Sequence, residues 1–140
     1  AAKILQQSLD KTYFAIVCGE ITGSGTINQP IARVSDSIIL RKVSPDGQEA
    51  ITDYTTISTN KRYTLVRVKL KTGRTHQIRV HFSHIGYPLA GDNMYGGSTS
   101  DISAQALHCG EVSFVHPITN QVLEFKIDIR QDMKKLLQLD

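Results

Sequence analysis

Arg74 and Arg79 sit where their charges call for a partner. They belong to Lys71-Thr-Gly-Arg-Thr-His-Gln-Ile-Arg79-Val-His81, which is followed by Gly86-Tyr-Pro-Leu-Ala-Gly-Asp-Asn-Met-Tyr-Gly96. The stretch reads as a strand ending at Gly73, a turn that exposes Arg74, and a helix whose first turn carries Arg79. A cation at a helix N-terminus opposes the macrodipole at a cost of about 0.3–1 kcal/mol. Arg79 therefore implies an anion nearby, either a carboxylate or a phosphate.

The charge pattern around these residues points the same way. No acidic residue occurs between Asp53 and Asp92, whereas Lys61, Arg62, Arg67, Lys69, Lys71, Arg74 and Arg79 all fall there, although the net charge is only +3. Two readings follow: a solvated charged hairpin, or a surface that contacts phosphates and weakens with salt. Lys61, Arg62, Lys71 and Arg74 are the candidate phosphate contacts. His76, His81 and His84 invite a metal reading, but they lack the i, i+4 ligand pair on one helical face, and no carboxylate or cysteine accompanies them. No metal is expected.

These residues need a scaffold. A chain of 140 residues suits a single domain, 1–140, and buries roughly 68–70% of the surface it exposes unfolded. Cys18 and Cys109 are its only cysteines; they form no CxxC pattern and read as small buried residues, so a reducing, cytoplasmic setting is expected. No stretch approaches the 18 apolar residues of a membrane span. Ile4, Leu5 and Leu9 carry the spacing of a short helical stripe. Thr12 to Val17 and Ile38 to Val43 read as strands, the second closed by Ser44-Pro45-Asp46-Gly47. Ile51 to Ile57 and Tyr63 to Leu70 read as an antiparallel pair joined near Thr59-Asn60, giving a β-meander.

Residues Thr75 to Gly86 fit both a strand and a helix, and the ends decide for a helix over about His76 to Ile85. Thr75 can cap it, Gly86 suits the residue after its C-terminus, and Pro88 cannot continue it. Ile78, Phe82 and Ile85 should be buried. Pro88 to Ser103 reads as a loop, Ala106 to Phe114 and Val122 to Ile127 as a hairpin around Pro117-Ile118-Thr119-Asn120, and Ile129 to Leu139 as a closing helix. The expected class is α+β, an antiparallel or mixed sheet with packed helices.

The run Gly73-Arg-Thr-His-Gln-Ile-Arg79-Val-His81, then Pro88-Leu-Ala-Gly-Asp92 and Tyr95-Gly96-Gly97, with Lys11-Thr-Tyr13-Phe-Ala15 upstream and Leu107-His108 and His116-Pro117 downstream, resembles the RluA-type RNA pseudouridine synthases. Order and spacing agree over nearly the whole chain. The resemblance implies a pseudouridine synthase-like fold and an enzyme that flips a uridine out of ribosomal or transfer RNA, breaks its N-glycosidic bond and rejoins the ring through carbon 5, without metal or organic cofactor. It implies that Tyr13 lies beneath the base and is a candidate acceptor of the carbon-5 proton, that Leu107 contacts the uracil, and that Arg74 helps hold the substrate. It also implies that Arg79 pairs with the nucleophilic aspartate and keeps that carboxylate ionised and aimed.

One departure matters. In the family the aspartate lies in a His-Arg-Leu-Asp segment some tens of residues before the Lys-x-Tyr motif, and only ten residues precede Lys11 here. Asp10 is the only acid before Tyr13 and stands in no such motif. The expectation is therefore an N-terminally incomplete catalytic domain, inactive alone and open to self-association at an exposed sheet edge. The alternative is a non-catalytic RNA-binding module of the same fold.

Overall fold

The computed structural model describes residues 10–139; the expected helical stripe at Ile4 to Leu9 lies outside them. Strands β1 (Asp10–Cys18), β2 (Ser24–Asn28), β5 (Ile51–Thr59), β6 (Tyr63–Leu70), β7 (Leu107–Val115) and β8 (Val122–Lys126) form one sheet, in the order β2-β5-β6-β1-β7-β8. A ribbon of β3 (Ile31–Arg33) and β4 (Arg41–Val43) stands apart from it. Helix α1 spans Gln77–His84 and helix α2 spans Gln131–Leu137.

Every strand pairing is antiparallel, so the mixed alternative does not occur among the described residues. The expected meander is corrected, because β1 separates β6 from β7. Its composition explains the central place: Ala15, Ile16 and Val17 are all fully buried, so successive residues bury side chains on opposite faces, as an interior strand requires. The strand expected from Ile38 is also shorter. Ile38, Ile39 and Leu40 form the tip of the ribbon, and pairing starts at Arg41.

Helix α1 covers one face. Ile78 and Phe82 pack against Ala15, Val17, Val66 and Val68, while Ile85 is only half-buried at the margin of this core. The expected cap is corrected too. His76, not Thr75, is the N-cap, held in the left-handed region at φ 57° with no side-chain cap bond. Gly86 ends the helix at φ 91°, the backbone that its missing Cβ permits. The opposite face carries α2, whose Met133 and Leu136 pack with Ile16, Tyr63, Ala90, Ile102 and Ala106.

A buried polar network fixes α1 to the sheet. His81 Nε2 lies 2.8 Å from the carbonyl of Gln29, and its Nδ1 lies 2.7 Å from Thr52 Oγ1. A carbonyl only accepts, so Nε2 carries the proton, and in the neutral ring Nδ1 accepts from the Thr52 hydroxyl. Gln77 Nε2 donates to Thr52 Oγ1 and to the carbonyl of Ile51, while Gln77 Oε1 accepts from Thr72 Oγ1 and the Arg74 backbone N–H. The network thereby sets the turn that carries Arg74.

Burial pushes the His81 imidazole below its ordinary value of 6.5, and the nearby His84 adds to this. His76 is also lowered, by burial and then by Arg79 and Arg41. Both rings bind protons less readily folded than unfolded, so their contribution to stability is present above about pH 6.5 and is lost as pH falls towards the folded values. Urea unfolding from pH 7.5 to 5 should show stability declining below pH 6.5, and less steeply in His81→Gln.

Candidate active site

Tyr13 lies on β1 opposite Cys109 of β7, immediately after a break in register. Thr12 pairs with Glu111 and Tyr13 with Cys109, which leaves Gly110 as the extra residue of a β-bulge. Bulges re-aim neighbouring side chains. Gly110 is required here because a Cβ would come within 2.6 Å of the Phe14 ring. Leu107 is two residues along β7 from Cys109 and shares the Tyr13 face of the sheet. Burial, followed by Cys109, pushes the Tyr13 phenol above its ordinary value of 10.0. It is a neutral hydroxyl at pH 7.

Arg79 reaches from α1 into the loop that follows it. Its Nε donates to Asp92 Oδ2 and its Nη2 to Asp92 Oδ1, each at 2.9 Å, a bidentate fork. The side chains are 12% and 1% exposed respectively. The anion implied by the helix dipole is thus a carboxylate, supplied across 13 residues of chain. The Asp92 bond holds the guanidinium above its ordinary range. Arg79 also lies over the Tyr95 ring at 5.0 Å. Its Nη1 donors have no protein partner among the described residues.

The loop that presents Asp92 is well anchored. Leu89 bridges to Val17, Ala90 N donates to the Ile16 carbonyl, and Ala106 N donates to the Ala90 carbonyl. Two glycines permit its path: a Cβ on Gly91 would collide with the Ala104 carbonyl, and one on Gly97 with that of Leu89. Tyr95 Oη accepts from the Arg41 backbone N–H and sits 2.6 Å from His76 Nδ1.

Tyr13, Arg74, Arg79 and Leu107 all line one cavity of about 280 Å³, together with Leu70, His76, Gln77, Ile78 and Gln105. Arg74 is oriented by an Nε bond to the Glu49 carbonyl at 2.7 Å. Tyr13 and Leu70 also border an adjoining cavity of about 530 Å³ lined by Asp10, Lys11, Lys71, Thr72 and Gly73. Lys71 therefore stands beside the site, facing Asp53 at 3.8 Å. Lys61 and Arg62 do not. They occupy the β5–β6 turn, at the far end of an eight-residue strand that is roughly 26 Å long at the usual rise.

That turn has a local task. Asn60 Nδ2 donates to the carbonyls of Leu136 and Leu139 at the end of α2, and Arg62 pairs with Asp101 at 2.9 Å. The acid-free segment is consequently not one bare cationic surface. Arg62, Arg67, Lys69, Lys71 and Arg79 face Asp101, Glu111, Asp10, Asp53 and Asp92. Sequence reasoning assigned no role to Asp92, Tyr95, His76 or Gln77. The Gly91-Asp92 and Tyr95-Gly96 pairs close to Arg79 were the available signal.

The known proteins to which the chain is similar belong to one family. The family described as RNA pseudouridylate synthase matches residues 1–84, more than half of the chain. The "Uncharacterized RNA pseudouridine synthase YjbO" of Bacillus subtilis (strain 168) is 46% identical over 129 residues, covering 91% of this chain and 46% of the relative. "Ribosomal large subunit pseudouridine synthase D" of Vibrio cholerae is 37% identical over 145 residues, covering 94% of this chain and 45% of the relative. The chain thus spans about half the length of the curated relatives it matches. "Human RNA Pseudouridylate Synthase Domain Containing 1" shares the fold, at TM-score 0.72 and 23% identity over 95% of this chain and 66% of that one. On the family match and these relatives, the chain belongs to the RNA pseudouridylate synthase family, RluA type.

Proposed function

We propose that these residues form the uridine pocket of an enzyme that converts uridine to pseudouridine in RNA. The observation that carries this reading is the meeting of Tyr13, Arg74, Arg79 and Leu107, from separate parts of the chain, around one cavity of about 280 Å³. A flipped pyrimidine needs such a recess, with an aromatic and an apolar wall and a few fixed donors. Tyr13 and Leu107 supply the walls. Arg79, held by Asp92 on two donors, keeps Nη1 for a second anion, the place where an attacking carboxylate would be steadied. Arg74 holds the nucleotide.

The neutral Tyr13 phenol is foremost the floor of the pocket. Only as the phenolate could it accept the carbon-5 proton, which would restore the neutral phenol. Ribosomal RNA is the proposed substrate, in line with the name of the Vibrio relative, and a cytoplasmic setting goes with it. The reading is tested by tritium release from RNA labelled at uridine carbon 5.

The second reading, a non-catalytic RNA-binding module, draws on one observation: Arg79 already holds a carboxylate within this chain. We also propose self-association at β8, one of the two edge strands, where Val122 and Phe125 are exposed, as is Ile127 just beyond it. Sedimentation should show a concentration-dependent mass that Phe125→Lys reduces; a monomer at all concentrations would exclude it.

A further inference from the structure

The β3–β4 ribbon carries a charge arrangement that the uridine pocket does not use. Arg33 and Arg41 are register partners, directly opposite each other on the two strands. Like charges in that position are destabilising. No carboxylate lies within ion-pair distance of either among the described residues, nor of the neighbouring Lys42 and Arg74. Lys69, Lys71 and Arg79 each face an acid, whereas the ribbon leaves several positive charges uncompensated.

Arg33, Arg41 and Arg74 line one cleft of about 410 Å³ between the ribbon and the turn before α1, with Gln48, Thr75 and a single acid, Asp46. Arg74 lines both this cleft and the uridine cavity, so the two lie side by side. The ribbon is also fastened to the site, since the Arg41 backbone N–H donates to Tyr95 Oη at 3.1 Å. Arg41 Nη1 donates to the carbonyls of Ile38, Ile39 and Leu40, which shapes the tip. There Ile38 and Ile39 are 83% and 52% exposed, an apolar surface beside the cations.

We propose that this cleft binds the phosphodiester backbone of the RNA strand as it leaves the uridine pocket, with Arg33, Arg41 and Arg74 on the phosphates and Ile38 and Ile39 against a neighbouring base. The proposal rests on the uridine-pocket reading and adds the path of the strand. A phosphate between Arg33 and Arg41 turns their repulsion into a shared attraction. Cation contacts of this kind are independent of sequence and salt-dependent, whereas apolar contacts are not salt-dependent.

The test is anisotropy titration of the full chain against a labelled single-stranded oligouridylate over a series of KCl concentrations. Arg33→Ala should make the slope of log K against log salt shallower by about 0.7, the amount expected for one phosphate on a single strand. Ile38→Ser should weaken binding without changing the slope, and Lys61→Ala should change neither. Arg33→Ala relieves the cross-strand repulsion, so its thermal midpoint should not fall, which separates lost binding from lost folding. Unchanged slopes in both Arg33→Ala and Arg33→Ala/Arg41→Ala, with RNA still bound, would overturn the strand path and leave the uridine pocket standing. An oligouridylate that the unaltered chain does not bind at low salt would overturn both.

Discussion

Asp92→Ala is expected to cost about 3–5 kcal/mol of folding stability, the usual loss when one member of a buried ion pair is removed. Total stabilities of single domains are only about 5–15 kcal/mol, so the loss should be plain in urea unfolding. The cost arises because the pair is enclosed, with Asp92 1% exposed and Arg79 12% exposed. Without Asp92 the guanidinium keeps its charge and loses both fork acceptors. Arg79→Ala should be at least as damaging, since it strands the more deeply buried carboxylate. The double variant Asp92→Ala/Arg79→Ala should recover part of the loss, because no unpaired charge remains. A loss below about 1 kcal/mol in either single variant, in the range of exposed pairs, would show that the fork contributes little to the fold.

The same pair marks where the sequence could be read and where it could not. The cation in the first turn of α1 implied an anion from the dipole alone, and a carboxylate is present. Its identity was hidden, because Asp92 reaches Arg79 only after Leu89 and Ala90 have docked against β1, a long-range event with no local periodicity. Helix α1 was legible because Gly86 and Pro88 fix its end, but its start was not. The network around Gln77 and Thr72 holds the turn, and His76 takes a left-handed conformation that propensity would not choose.

The pocket itself was legible through motif order, since Tyr13, Arg74, Arg79 and Leu107 do converge. The cationic surface was misjudged for a physical reason. Acids from distant strands, such as Glu111 opposite Arg67, neutralise a segment that contains none of its own. Strands β2 and β3 went unread because they are short and lie among Gly, Ser and Pro residues, where pairing comes from β5 and β4 rather than from local pattern.

The central claim is that this cavity handles uridine and that its chemistry requires a carboxylate nucleophile. Positioning by Tyr13, Arg79 and Leu107 cannot break a glycosidic bond at a useful rate without one. The direct measurement is tritium release from RNA labelled at uridine carbon 5. It should compare the 140 residues alone with a version joined to any His-Arg-Leu-Asp segment encoded upstream in the same reading frame. The expected result is no release by the 140 residues, release by the longer protein, and a fall of at least about a hundredfold when Arg79→Ala removes the charge that steadies the carboxylate. Release by the 140 residues alone would contradict the account and direct attention to Asp10, which borders the cavity beside Tyr13. A folded longer protein that contains the aspartate, binds RNA and releases no tritium would contradict the uridine chemistry itself.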